Sequence, residues 1–212
     1  MTDLLKELGL LGVVPVVKID RAEDAVDLGR ALLEGGLPCA EITFRTAAAE
    51  EAIRRISSSL PDVILGAGTV LSVDQADRAV SAGAQFIVSP GFNPKVVDWC
   101  LQNEIAVTPG ALTPTEIDMG LDKGLHILKF FPAEASGGIK MLKAIAAPYV
   151  GVKFIPTGGI NRGNLADYLA HPSVHCCGGS WLVKADLISA GKFDEITQLT
   201  RDAMSVVREV RG

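Results

Sequence analysis

Eight short apolar runs rich in β-branched residues alternate with amphipathic stretches along this chain, and no other feature constrains its fold as much. The runs are GVVPVVKI (12–19), CAEITF (39–44), VILGAG (63–68), QFIVS (85–89), IAVTP (105–109), HILKFF (126–131), VKFIP (152–156) and VHCCGG (174–179). Between them lie segments whose apolar residues recur at helical spacing, such as AEDAVDLGRALLEGG, VDQADRAVSAGA and PTEIDMGLDKGL. Apolar strands separated by helices pair in parallel, because a helical crossover returns the chain to the same end of the sheet. One repeat takes about 20–25 residues, near the minimum for a strand plus a helix. An open doubly wound sheet uses fewer strands in 212 residues, so eight units predict an α/β fold, a single (β/α)8 TIM barrel. The opening MTDLLKELGLLG lacks the basic start and small-residue cleavage site of a leader and reads as a short N-terminal helix. Two more helical segments follow the eighth strand, around 184–190 and 193–210.

The helix boundaries carry their own chemistry. Ser72 with Gln75 and Thr113 with Glu116 fit a capping box. Asn93-Pro94 and Thr113-Pro114 put a cap residue ahead of a first-turn proline, and Gly124 stands where a helix should stop. With no linker or low-complexity tract, residues 1–212 are expected to form one domain. A net charge of −5 gives no basic footprint for nucleic acid. No apolar run reaches the ~18 residues of a membrane span. The cysteines, Cys39, Cys100, Cys176 and Cys177, form no C-x-x-C pair and read as reduced, mostly buried thiols of a cytoplasmic protein. His126, His171 and His175 show no metal-ligand spacing.

Barrel enzymes work at the C-terminal ends of their strands, so the polar residues there are the candidates. Lys129 lies between Leu128 and Phe130 in an apolar strand. Burial penalises the charged form of a lysine, and a neutral amine is the nucleophile of Schiff-base chemistry. The bland reading is a lysine snorkelling from an exposed strand end. Lys18 is the competitor, but Asp20 and Arg21 follow it, so it reads as solvated. Glu41 lies inside CAEITF and shares a strand face with Thr43 and Arg45. That face is either a structural ion pair or a proton-transfer carboxylate beside the amine, with Arg45 to bind a substrate carboxylate. Gly158 and Gly159 after strand seven, and Ser180 after Gly178-Gly179 on strand eight, stand where many barrels bind phosphate; plain tight turns are the alternative.

These strings, in this order, resemble the bacterial 2-keto-3-deoxy-6-phosphogluconate / 4-hydroxy-2-oxoglutarate aldolases. The matches are VPVV (14–17), EITFRT (41–46), GAGTVL (66–71), AQFIVSPGF (84–92), TPG (108–110), KFFPAEASGG (129–138), PTGGI (156–160) and GGSWLV (178–183). The resemblance implies a Schiff-base aldolase of the Entner–Doudoroff route that releases pyruvate and D-glyceraldehyde 3-phosphate, and that also cleaves 4-hydroxy-2-oxoglutarate. It implies Lys129 as the imine-forming lysine and Glu41 as the proton-transfer residue. Arg45 and Thr69 would then hold the pyruvyl carboxylate, Pro90 and Phe131 would shape the pocket, and Gly158, Gly159 and Ser180 would hold phosphate. It further implies a small-molecule substrate, no metal, no cofactor and a homotrimer. Arg45 and Glu134 together favour the gluconate-type over the galactonate-type substrate. The rival on residues alone is a phosphate-binding barrel isomerase or epimerase with Glu41 as base.

Overall fold

The computed structural model describes residues 2–212. After a first helix, α1 (Thr2–Leu11), strands and helices alternate as β1 (Val13–Val17), α2 (Ala25–Glu34), β2 (Cys39–Thr43), α3 (Ala49–Ser59), β3 (Ile64–Gly68), α4 (Val73–Ser81), β4 (Phe86–Val88), α5 (Pro94–Gln102), β5 (Ala106–Thr108), α6 (Pro114–Asp122), β6 (Ile127–Phe130), α7 (Gly138–Ala146), β7 (Lys153–Pro156), α8 (Leu165–Leu169) and β8 (Cys177–Gly179). Two helices close the chain, α9 (Ala185–Ser189) and α10 (Phe193–Arg211). Each strand lies inside one of the apolar runs. Every registered strand pair is parallel. Thr113 and Glu116 make the full capping box, whereas Gln75 turns its side-chain oxygen to the Leu71 N–H and leaves Ser72 as a one-way cap. Gly124 ends α6 with φ of 73°, a left-handed conformation that favours glycine. No described helix is long and apolar enough to cross a membrane.

The closed eight-stranded barrel expected from the repeat count is not what forms. Six strands make one sheet in the order β5-β4-β3-β2-β1-β8, and β6 with β7 makes a second. At the two seams only isolated bridges join them: Gly110 to Lys129 at one, Phe154 to Val174 and Thr157 to Gly178 at the other. Proline accounts for both seams. Along a strand, the backbone groups of alternate residues face alternate neighbours. The Pro109 carbonyl accepts from the Lys129 N–H at 2.9 Å, so Pro109 faces β6 and has no N–H to offer it. Phe154 donates to Ser173 O at 2.7 Å, so Phe154 and, two residues on, Pro156 face the β8 side, again without a donor. Each proline removes a ladder bond where the ring would otherwise close.

The end of the fold at the strand N-termini is sealed. Leu8 of α1 is buried and reaches the interior beside Val14 and Phe86. The His175 imidazole bonds through Nε2 to Leu5 O at 2.6 Å. The last residue of α10, Arg211, donates to four carbonyls, those of Gly9, Leu169, Val174 and His175, at 2.7–3.2 Å. One guanidinium thus ties the C-terminal helix to α1 and to the approach to β8.

Candidate active site

Strand alternation aims the central pair inward. On β6, Leu128 packs outward near Gly120 of α6, and Phe130 meets Phe154 edge-on at 6.4 Å, which leaves Lys129 facing the interior. Glu41 does the same from β2. Its Oε1 stands 3.5 Å from Lys129 Nζ, and the two residues are only 3% and 5% exposed. Removing one partner from such a buried pair leaves an uncompensated charge. The Phe131 ring lies with its centroid 5.4 Å from the same amine. Strand β3 supplies the space. A Cβ at Gly68 would come within 1.9 Å of Glu41 Oε1, and one at Gly66 within 2.2 Å of the Phe86 ring. The glycines of GAG therefore leave their share of the interior to two neighbours.

Above the pair, at the C-terminal ends of the strands, opens a cavity of about 650 Å³. That is the size of an ordinary small-molecule site. Arg45, Thr69, Pro90, Lys129, Phe131, Gly158, Gly159 and Ser180 all line it. Glu41 does not: it sits beneath the cavity, in a small void shared with Lys129, Thr108 and Thr157. Lys18 reaches the wall too, but it is exposed and ion-paired to Asp20 at 2.8 Å. Thr69 holds φ of 56°, a left-handed conformation that costs a β-branched residue of order 1–3 kcal/mol. Gly158 and Gly159 hold φ of 96° and 83°, which only glycine adopts freely. Their loop is pinned by backbone bonds from Ala133 to Thr157 O and from Glu134 to Gly158 O, at 2.8 and 3.0 Å. Glu134 is not on the cavity wall; its carboxylate accepts from the Tyr168 hydroxyl.

Electrostatics separate this cavity from the rest of the surface. Four cations line it, Lys18, Arg45, Lys129 and Lys184, and none of its lining residues is acidic. The whole chain carries net −5. A cleft of one sign, walled by apolar side chains such as Val16 and Ile160, focuses its field on an incoming anion.

Two residues of this site, Thr157 and Lys184, escaped the sequence reading, and a third, Thr108, was in view only as the first residue of TPG. Thr157 sits between Pro156 and the glycine pair, uncharged, with only its strand-end position to mark it. Thr108 lies in TPG, and its hydroxyl is the one buried side-chain polar atom without a hydrogen-bond partner among the described residues. Lys184 follows Ser180 by four positions, beyond any strand, where no pattern points to it.

A buried amine beside a carboxylate, at the floor of a cationic cleft at the strand ends of a parallel α/β fold, is the equipment of a lysine-dependent aldolase. The chain belongs to the KDPG and KHG aldolase family, whose model matches residues 4–199. It is 51% identical over 207 residues to the 2-dehydro-3-deoxy-phosphogluconate aldolase of Treponema pallidum, covering 98% of this chain and 99% of that one. It is 48% identical over 192 residues to the KHG/KDPG aldolase of Escherichia coli K12, covering 91% and 90% of the two chains. Among solved structures, the KDPG aldolase of Legionella pneumophila, with pyruvate captured as a covalent carbinolamine, superposes with a TM-score of 0.91 at 40% identity, over 94% of this chain and 97% of that one.

Proposed function

We propose that this aldolase cleaves 2-keto-3-deoxy-6-phosphogluconate to pyruvate and D-glyceraldehyde 3-phosphate through an imine on Lys129. The observation that carries the reading is the Lys129 amine, buried 3.5 Å from Glu41 under a cavity whose wall holds no acid. Lys129 attacks the keto carbon, and loss of water gives an iminium. Glu41 takes the proton of the substrate hydroxyl, directly or through one water. The carbon–carbon bond then breaks, and its electrons pass into the iminium to leave an enamine. Glyceraldehyde 3-phosphate departs. Glu41 returns the proton to the enamine carbon, and hydrolysis frees pyruvate. Arg45 and Thr69, on the β2 and β3 side, hold the carboxylate; Pro90 and Phe131 shape the pocket; Gly158, Gly159 and Ser180, on the β7 and β8 side, hold the phosphate. The same machinery serves 4-hydroxy-2-oxoglutarate, which yields pyruvate and glyoxylate. The proposal includes a cytoplasmic homotrimer, in keeping with the family likeness and with four buried free thiols.

Borohydride added with pyruvate tests the covalent step. One adduct is expected, and peptide mapping should place it on Lys129. An adduct on Lys18, or none at all, would sink the assignment.

A further inference from the structure

The four cations of the cavity are not equivalent. Lys129 belongs to Glu41, and Lys18 is neutralised by Asp20. Two cations remain, Arg45 and Lys184, and the side chain of neither makes a hydrogen bond or ion pair among the described residues. They occupy different sectors of the mouth. Strand order sets β2 on one side of β1 and β8 on the other. Arg45 follows β2, near Thr69. Lys184 follows β8, and β8 is bridged to β7 through Gly178 and Thr157. Lys184 therefore shares its sector with Ser180, Gly158 and Gly159. Its neighbours Val183 and Ala185 also line the cavity, so this whole stretch of chain faces the ligand space.

We infer that Lys184 binds the phosphate of the substrate and sets the preference for phosphorylated over unphosphorylated substrates. The inference rests on the phosphate subsite proposed above and adds to it a formal charge that backbone groups and one hydroxyl lack. Two cations on either side of β1, their side chains unpaired among the described residues, match a substrate with a carboxylate at one end and a phosphate at the other. An ammonium on a flexible stem suits the second role, because it meets a phosphate as a point charge without demanding one orientation.

Rates on 2-keto-3-deoxy-6-phosphogluconate and on its dephosphorylated counterpart, measured for the wild type and Lys184→Gln, test this, with competitive inhibition by inorganic phosphate alongside. In the variant the ratio of the two kcat/KM values should fall roughly three- to tenfold, mainly through KM, and inhibition by inorganic phosphate should weaken by a similar factor. Lys184→Arg should recover most of the ratio. A wild-type ratio near one overturns the phosphate subsite, and Lys184 with it. A wild-type ratio well above one that Lys184→Gln leaves unchanged overturns the role of Lys184 alone. Equal loss on both substrates also overturns it, since the lysine would then be supporting the fold.

Discussion

The two ends of the strands are built to opposite rules. At the N-terminal end, polar groups find partners: Arg211 satisfies four carbonyls, His175 meets Leu5, and Leu8 fills the interior behind them. At the C-terminal end, among the described residues, the side chains of two cations stand without partners, Thr69 is held in a strained conformation, and the Thr108 hydroxyl is buried without a bond. Stability collects at the satisfied end. Unspent interaction potential collects at the other, where a ligand can complete it. In parallel α/β folds this division follows from chain direction, because the loops that leave the strands all emerge on one face.

Substitutions at the C-terminal end should therefore cost activity first, and those within the buried Lys129–Glu41 pair should cost stability as well, because the remaining partner is left uncompensated. The largest effect is expected from Lys129→Ala, which should abolish both turnover and pyruvate trapping. Glu41→Gln keeps the size and removes the basicity, so turnover should drop ~10²–10⁴-fold while slow trapping persists. Exchange of pyruvate methyl protons with solvent should fall in step with turnover, since it uses the same proton transfer. Near-wild-type cleavage by Glu41→Gln would make Glu41 a structural partner of Lys129 and move the base elsewhere.

Substitutions at the sealed end should do the reverse. Arg211→Ala removes a charged donor from four carbonyls at a partly solvated position, which should cost about 1–2 kcal/mol and lower Tm by roughly 2–8 °C. kcat/KM at 25 °C should be retained. A large loss of activity without a fall in Tm would erase the contrast between the two ends.

The smallest effect concerns pH. Burial holds His175 below the ordinary histidine range; the charges of Arg211 and Lys153 add to this, and the bond to Leu5 opposes it. The unfolded chain takes up a proton near pH 6.5 that the folded imidazole resists, so stability falls as pH drops below about 6.5. His175→Gln should flatten the fall of Tm between about pH 7 and 5.5. An unchanged slope would assign the acid sensitivity to other groups.

Much of this layout was legible in the sequence, for identifiable reasons. The eight strand–helix units follow from the switch between apolar runs and helical spacing. Lys129 stood out because an ammonium is costly inside HILKFF, and Glu41 because a carboxylate is equally out of place in CAEITF. The split into two sheets was not legible, although both prolines were in view. Which neighbour a missing N–H would have faced depends on pairing, and pairing is set only when the strands assemble. Thr157 and Lys184 were missed for different reasons. A threonine before two glycines reads as ordinary turn chemistry, and a lysine past the last strand reads as solvated surface. Their importance comes from the cavity, which has no local signature. Thr108 was in view within TPG, but an orphaned hydroxyl shows itself only after every neighbour is in place.

The steric relation between Gly68 and Glu41 bears on any redesign of this enzyme. With 1.9 Å between the carboxylate oxygen and the Cβ that an alanine would bring, position 68 is not an independent variable. A library that randomises it alone will mostly sample displaced carboxylates and will report dead clones as if glycine itself were the reagent. A library that shortens residue 41 to aspartate while enlarging residue 68 holds the shared volume nearly constant. It would ask how far the carboxylate can retreat from the amine before cleavage stops, and so turn a packing constraint into a ruler for the chemistry.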